Sequence, residues 1–170
     1  MSHHEHRRRG PRRVACAVVT VSDSRTAVTD RSGRAIRTAL ERAGHRVVDQ
    51  RILRDEPRLI TSHLRALVRR RSPARVVILT GGTGLAPRDR TYEAVDRLLD
   101  RRIDGFGELF RMLSHREIGS AAMLTRAVAG TFAGRLLFSL PGSEAAVRLA
   151  MRRLILPELG HAVGLLEEEA

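Results

Sequence analysis

The sequence predicts an α/β domain, a three-layer α-β-α sandwich around a mainly parallel sheet. Two observations carry that prediction. Short runs of β-branched and aliphatic residues alternate along the chain with segments whose apolar residues recur at helical spacing. Each run also ends in a polar or glycine-rich loop, which is where open parallel sheets hold their ligands.

Val14 to Val21 is a continuous apolar run, the pattern of a strand buried on both faces. Ser32 then stands as the N-cap of a helix with Ile36, Ala39, Leu40 and Ala43 on one face and Gly44 just past its end. Arg46 to Leu53 reads as a second strand, its alternation weakened at Asp49 to Arg51. Asp55, Glu56 and Pro57 open the next helix, with acids at the positive end of the dipole and proline near the first turn. Leu59, Ile60, Leu64, Leu67 and Val68 give that helix one apolar face. Val76 to Leu79 is a short strand that runs straight into Thr80-Gly81-Gly82-Thr83-Gly84. A helix from about Thr91 to Leu99 follows, then a helical region from about Asp104 to Arg126 broken near Gly119. Leu136 to Leu140 makes a fourth strand ending in Pro141-Gly142. Val147, Ala150, Met151, Leu154 and Ile155 define the last main helix, which Pro157 should kink or end.

With 170 residues, 42% apolar and 29% charged, the chain has the size and composition of one globular domain. The domain is expected over 14–170, after a basic and disordered tail over 1–13. That amino terminus has no apolar stretch of a secretory signal, and no run approaches the ~20 apolar residues of a membrane span. The single cysteine, Cys16, lies inside the first strand and reads as core, so no disulfide framework exists. The expected compartment is the cytoplasm.

All 31 basic residues are arginine. The missing lysine removes the P-loop, Schiff-base and lysyl-nucleotidyl mechanisms, each of which needs that amine. The formal charge of +12 calls for an anionic partner. Four of those charges come from the tail, and only four Phe and one Tyr are available, none interleaved with arginine as a base-stacking platform requires. A small phosphorylated ligand fits better than a specific nucleic acid.

The chemistry is expected at four strand ends: Ser22-Asp23, Asp55-Glu56, Gly81 to Asp89, and Pro141-Gly142-Ser143. Gly81, Gly82 and Gly84 allow positive φ and let backbone amides approach an anion. Pro87 stands where a dinucleotide fingerprint has its third glycine, so this is no Rossmann motif. Asp89 is either a cap for the following helix or a ligand for Mg²⁺ bridging phosphates, with Arg88 balancing charge. Asp55 and Glu56 carry the same ambiguity. His45, His63, His115 and His161 have no metal-ligand spacing, and no serine sits in a hydrolase elbow.

Val19-Thr20-Val21-Ser22-Asp23-Ser24-Arg25, Asp30-x-Ser32-Gly33, Asp55-Glu56, Thr80-Gly81-Gly82-Thr83-Gly84-x-x-x-Arg88-Asp89-x-Thr91 and Leu140-Pro141-Gly142-Ser143 occur in that order. Together they resemble the MoaB/Mog family of molybdenum cofactor biosynthesis proteins, over residues 14–165. The resemblance implies an adenylyltransferase that joins molybdopterin to the AMP part of Mg-ATP and releases pyrophosphate. Under it, Asp55 and Asp89 match the two essential acids and would organise Mg²⁺. Gly81, Gly82, Thr83 and Gly84 would cradle phosphate, with Arg88 and Thr91 beside them. Ser22, Asp23, Asp30, Ser32 and Gly33 match the nucleotide side. Glu108, Thr125, Arg126, Pro141, Gly142 and Ser143 match further substrate positions, the last five on the pterin side. The resemblance also implies a homotrimer or homohexamer that hands its product to a downstream Mo-insertion protein. Glu144 departs from the family by placing an acid beside the Pro141-Gly142 turn. The alternative is a non-catalytic molybdopterin-binding paralogue, a carrier or scaffold of the same fold.

Overall fold

A computed structural model describes residues 10–167. Six strands form one mixed sheet in the order β2-β1-β3-β6-β5-β4. They are β1 (Ala15–Val21), β2 (Arg46–Leu53), β3 (Val76–Thr80), β4 (Arg101–Arg102), β5 (Val128–Phe132) and β6 (Arg135–Leu140). The first four in spatial order run parallel, and β5 and β4 add an antiparallel edge. The expected three-layer sandwich is therefore correct.

Helices α1 (Arg31–Arg42), α4 (Asp104–Ile118), α5 (Glu144–Ala150) and α6 (Leu156–Glu167) cover one face of the sheet, and α2 (Pro57–Arg69) and α3 (Thr91–Asp96) cover the other. Alternation along β1 divides its side chains between two cores. Cys16 and Val18 join Ile36, Leu40, Phe110, Val147 and Leu159, whereas Ala17, Val19 and Val21 join Ile60, Leu64 and Val95. Burial pushes the Cys16 thiol up to about 12, so it packs as a small apolar residue.

Several local expectations needed correction. The α1 N-cap is Asp30, whose side chain accepts the Gly33 N–H, and Ser32 lies inside the helix. Helix α3 ends at Asp96, short of Leu99. The helical region expected from Asp104 is broken at Gly119 as read, and continues as a 3₁₀ segment, Gly119–Leu124, that ends two residues before Arg126. The β5–β6 hairpin went unread because Gly130 interrupts its apolar run. Gly130 is required there, since a Cβ would stand 2.3 Å from the Arg101 carbonyl of β4. The hairpin turns through Ala133 (φ 47°) and Gly134 (φ 71°), two adjacent left-handed residues as in a type I′ turn. Pro157 does not end the last helix. A π-helical turn, Met151–Ile155, precedes it, closed by the Leu156 N–H on the Met151 carbonyl, and the chain continues as α6.

The basic tail expected over 1–13 lies outside the described residues through position 9. From Gly10 the backbone runs across α6, where Gly160 and Gly164 leave room for it.

Candidate active site

The chain passes from β1 to β2 on one side and returns to β3 on the other, so the sheet's switch point lies between β1 and β3. A crevice opens beyond the carboxyl ends of the strands at such a point. Gly81 enters it at φ 106°, so close that a Cβ would stand 2.2 Å from the Val21 carbonyl. Two threonines at the ends of otherwise apolar strands fix the surrounding loops. Thr80 Oγ1 donates to the Pro141 carbonyl at 2.8 Å, and Thr20 Oγ1 donates to Asp30 Oδ2 at 2.7 Å. Neither was singled out from the sequence, although a threonine closing a buried apolar run was the available signal.

Asp55, Asp89, Gly82, Gly84 and Thr91 come together above β3. Thr91 Oγ1 donates to Asp55 Oδ1 at 3.2 Å, the Arg90 N–H donates to the same carboxylate, and the Thr91 N–H donates to the Gly82 carbonyl at 3.0 Å. A Cβ on Gly84 would stand 2.5 Å from Asp89 Oδ2. Asp89 does not cap α3, whose N-cap is Arg90 with no side-chain cap bond. Partial burial raises the Asp55 carboxyl above its ordinary value against the two hydrogen bonds, and the negative fields of Asp89 and Asp23 add to the rise.

Crowded carboxylates of this kind gain from a bound cation. Among the described residues no group of three or more His, Cys, Asp or Glu could hold a metal by itself. Mg²⁺ takes one or two carboxylates and completes its shell with water and substrate phosphates. Asp55 and Asp89 would hold it.

The residues expected on the nucleotide side divide by what they hold. Asp30 is buried and accepts from Thr20 and from the Gly33 N–H at 2.8 Å, while Ser32 Oγ donates to the Gly142 carbonyl at 2.8 Å. These join the loop after β1 to the Pro141-Gly142 turn. Asp23 Oδ1 accepts the Asp55 N–H at 3.1 Å, and Ser22 Oγ accepts N–H groups from Ser24 and Arg25. Ser143 caps α5 through the Ala146 N–H, and Arg88 is exposed on the glycine-rich loop. Glu144 is paired with Arg148 at 2.7 Å, which with Arg31 and Arg34 lowers its carboxyl.

The remaining expected residues stand on α4 and just before β5. Glu108 is exposed on α4, and Thr125 lines a hollow of about 330 Å³ with Tyr92, Gly107 and Arg111. Arg126 lines the same hollow, but its guanidinium turns to the underside of the glycine-rich loop.

A mainly parallel sheet with a glycine-rich loop and two aspartates at its switch point defines an α/β domain of the open-sheet class, whose ligands bind beyond the carboxyl ends of the strands. Residues 17–161 match the family described as "Probable molybdopterin binding domain", and the chain belongs to that family of molybdenum cofactor biosynthesis proteins. It is 50% identical over 162 residues to Molybdenum cofactor biosynthesis protein B of Bacillus cereus, covering 95% of each chain. A crystal structure of a Molybdenum cofactor biosynthesis protein B superposes with a TM-score of 0.89 at 49% identity, covering 93% of this chain and 98% of that one. The tungsten cofactor synthesizing protein MoaB of Pyrococcus furiosus superposes with a TM-score of 0.81 at 35% identity, covering 92% and 98%. No helix among the described residues is long and apolar enough to cross a membrane.

Proposed function

We propose that the protein acts in molybdenum cofactor biosynthesis by adenylylating molybdopterin. The pterin's terminal phosphate oxygen attacks the α-phosphorus of ATP, the bond to the β-phosphate breaks, and pyrophosphate leaves with the electron pair. The observation that carries this reading is the meeting of Asp55 and Asp89 with Gly82 and Gly84 at the switch point. Nucleotidyl transfer between two anions needs positioning and charge neutralisation, and no protein nucleophile. Mg²⁺ on the two aspartates would supply the neutralising charge. The glycine loop offers backbone N–H groups to phosphate, and the Asp30–Ser32 anchor keeps the Pro141-Gly142 turn against it. Glu144 is paired with Arg148, which supports the enzyme reading over the carrier by drawing that acid toward an arginine on its own helix.

The test is incubation of the purified protein with molybdopterin, ATP and Mg²⁺, followed by mass spectrometry. Adenylylated pterin and pyrophosphate at many turnovers support the enzyme. Pterin bound without product means the carrier.

The reading includes a homo-oligomer, trimer or hexamer. Its support is the exposure of Leu109, Met112, Ile118, Met123 and Leu124 on α4 and the 3₁₀ segment, with Met123 77% exposed. Light scattering of Met123→Glu should show a smaller species than wild type, and equal masses would remove this support.

A further inference from the structure

We propose that Arg126 is the positioning residue of the glycine-rich loop, a clamp on its backbone, where the family resemblance had placed it against the pterin. The inference rests on the adenylylation reading only for its kinetic consequence. A guanidinium has five N–H donors in a fixed fork. Arg126 Nε donates to the Thr83 carbonyl at 3.2 Å, and Nη2 donates to the Gly84 carbonyl and to the Asp89 carbonyl, the latter at 2.9 Å. Nη1 donates to Glu93, and the fork lies over the Tyr92 ring with its carbon 5.1 Å from the centroid. Four of the five donors are thus committed, leaving little with which to hold a substrate.

The direction of those bonds matters more than their number. No peptide bond among the described residues is cis, and in a trans peptide the C=O and N–H point opposite ways. Carbonyls of Thr83, Gly84 and Asp89 drawn to Arg126 therefore turn the N–H groups of Gly84, Leu85 and Arg90 away from it. The Arg90 N–H lands on the Asp55 carboxylate. One guanidinium thereby sets the amide face of the loop at its glycine end and the seat of Asp55 at its other end. Arg126 comes from the residues just before β5, on the antiparallel edge of the sheet. It therefore ties the end of a loop that carries three glycines to an element remote in sequence.

Two variants of the full chain test this. Arg126→Lys keeps the charge and the stem but loses the fork, and Arg126→Gln loses both. Amide hydrogen exchange, measured by NMR without substrates, should show the Arg90 N–H exchanging about tenfold faster or more in both, while Ile78 and Leu79 of β3 stay protected. In steady-state adenylylation kcat should fall about 30-fold or more, with KM for molybdopterin changed less than about twofold. Arg90 exchange within about twofold of wild type in a variant with protected β3 amides would overturn the clamp. So would a raised KM with kcat intact, the mark of a direct substrate contact. Failure of the reaction assignment looks different: the wild type yields no product, while Arg90 exchange still answers to Arg126.

Discussion

Asp55 lies against the α-carbon of Gly82. A Cβ built on Gly82 would stand 2.4 Å from Asp55 Oδ2 and 2.1 Å from Thr91 Oγ1, and Gly82 holds φ at +64°. The side chain that the site lacks here is what lets the carboxylate sit over the loop. Gly82→Ala must therefore displace Asp55 as well as strain the backbone. Gly44 is the matched control, since it holds φ at +86° with nothing within 4 Å of an added Cβ. Gly44→Ala is expected to cost about 1 kcal/mol in thermal unfolding and to leave turnover unchanged. Gly82→Ala is expected to cost more and to lose most turnover. Equal behaviour of the two would show that the close approach has no bearing on the chemistry.

How much of this could be read from the sequence follows from the range of each interaction. Strands β1, β3 and β6 declared themselves because burial on both faces leaves a nearly unbroken apolar run, and half-buried β2 did so only by its apolar ends on either side of Asp49 to Arg51. The two antiparallel strands did not, because β4 has two residues and Gly130 of β5 exists for a neighbour that local pattern cannot reveal. The glycine loop and both aspartates were visible as local motifs at strand ends. The hydrogen bond from Ser32 to Gly142 spans 110 positions and that from Thr80 to Pro141 spans 61, so the anchoring of one loop to another was beyond any local signal. Even the cap of α1 was misplaced by two residues for this reason. Asp30 outcompetes Ser32 because it also has the buried Thr20 hydroxyl to accept, and Ser32 is committed to Gly142.

Asp30 is 1% exposed, and its two oxygens accept from Thr20 Oγ1 at 2.7 Å and from the Gly33 N–H at 2.8 Å. Asp30→Ala leaves both donors buried without partners and is expected to cost about 3 kcal/mol in urea unfolding. Asp30→Asn keeps one acceptor oxygen and should lose about half as much. A loss below about 1 kcal/mol in the alanine variant would mean that water replaces the carboxylate at this position.

Asp89 is half-buried and stands beside Gly84, outside both hydrophobic cores. Asp89→Asn is isosteric, so we expect an unfolding midpoint close to wild type. If the carboxylate carries Mg²⁺, product formation should fall by about two orders of magnitude or more. Mass-spectrometric turnover of both proteins at saturating ATP decides it, and near-wild-type turnover in the folded variant would remove Asp89 from the proposed role.

Acid should destabilise the fold through two histidines far from the loop. His45 Nδ1 accepts the Val14 N–H at 3.2 Å, and burial lowers its pKa from the ordinary 6.5. His63 stands 3.1 Å from Asp49, a neighbour that by itself would favour the charged ring. Desolvation outweighs it, helped by Arg51 and Arg70, so His63 is lowered as well. A group whose native pKa lies below its unfolded value takes up its proton first in the unfolded chain. Stability is then fully present above 6.5 and is lost as the pH falls from there toward the lowered native values. Urea midpoints measured between about pH 7 and 5 should fall with pH, and replacing both histidines with asparagine should flatten that slope. For His45 a second effect has the same sign, because a protonated ring can no longer accept from Val14 and leaves that N–H unpaired at the entry to β1. A midpoint that rises on acidification would show that the Asp49 charge, not burial, controls His63.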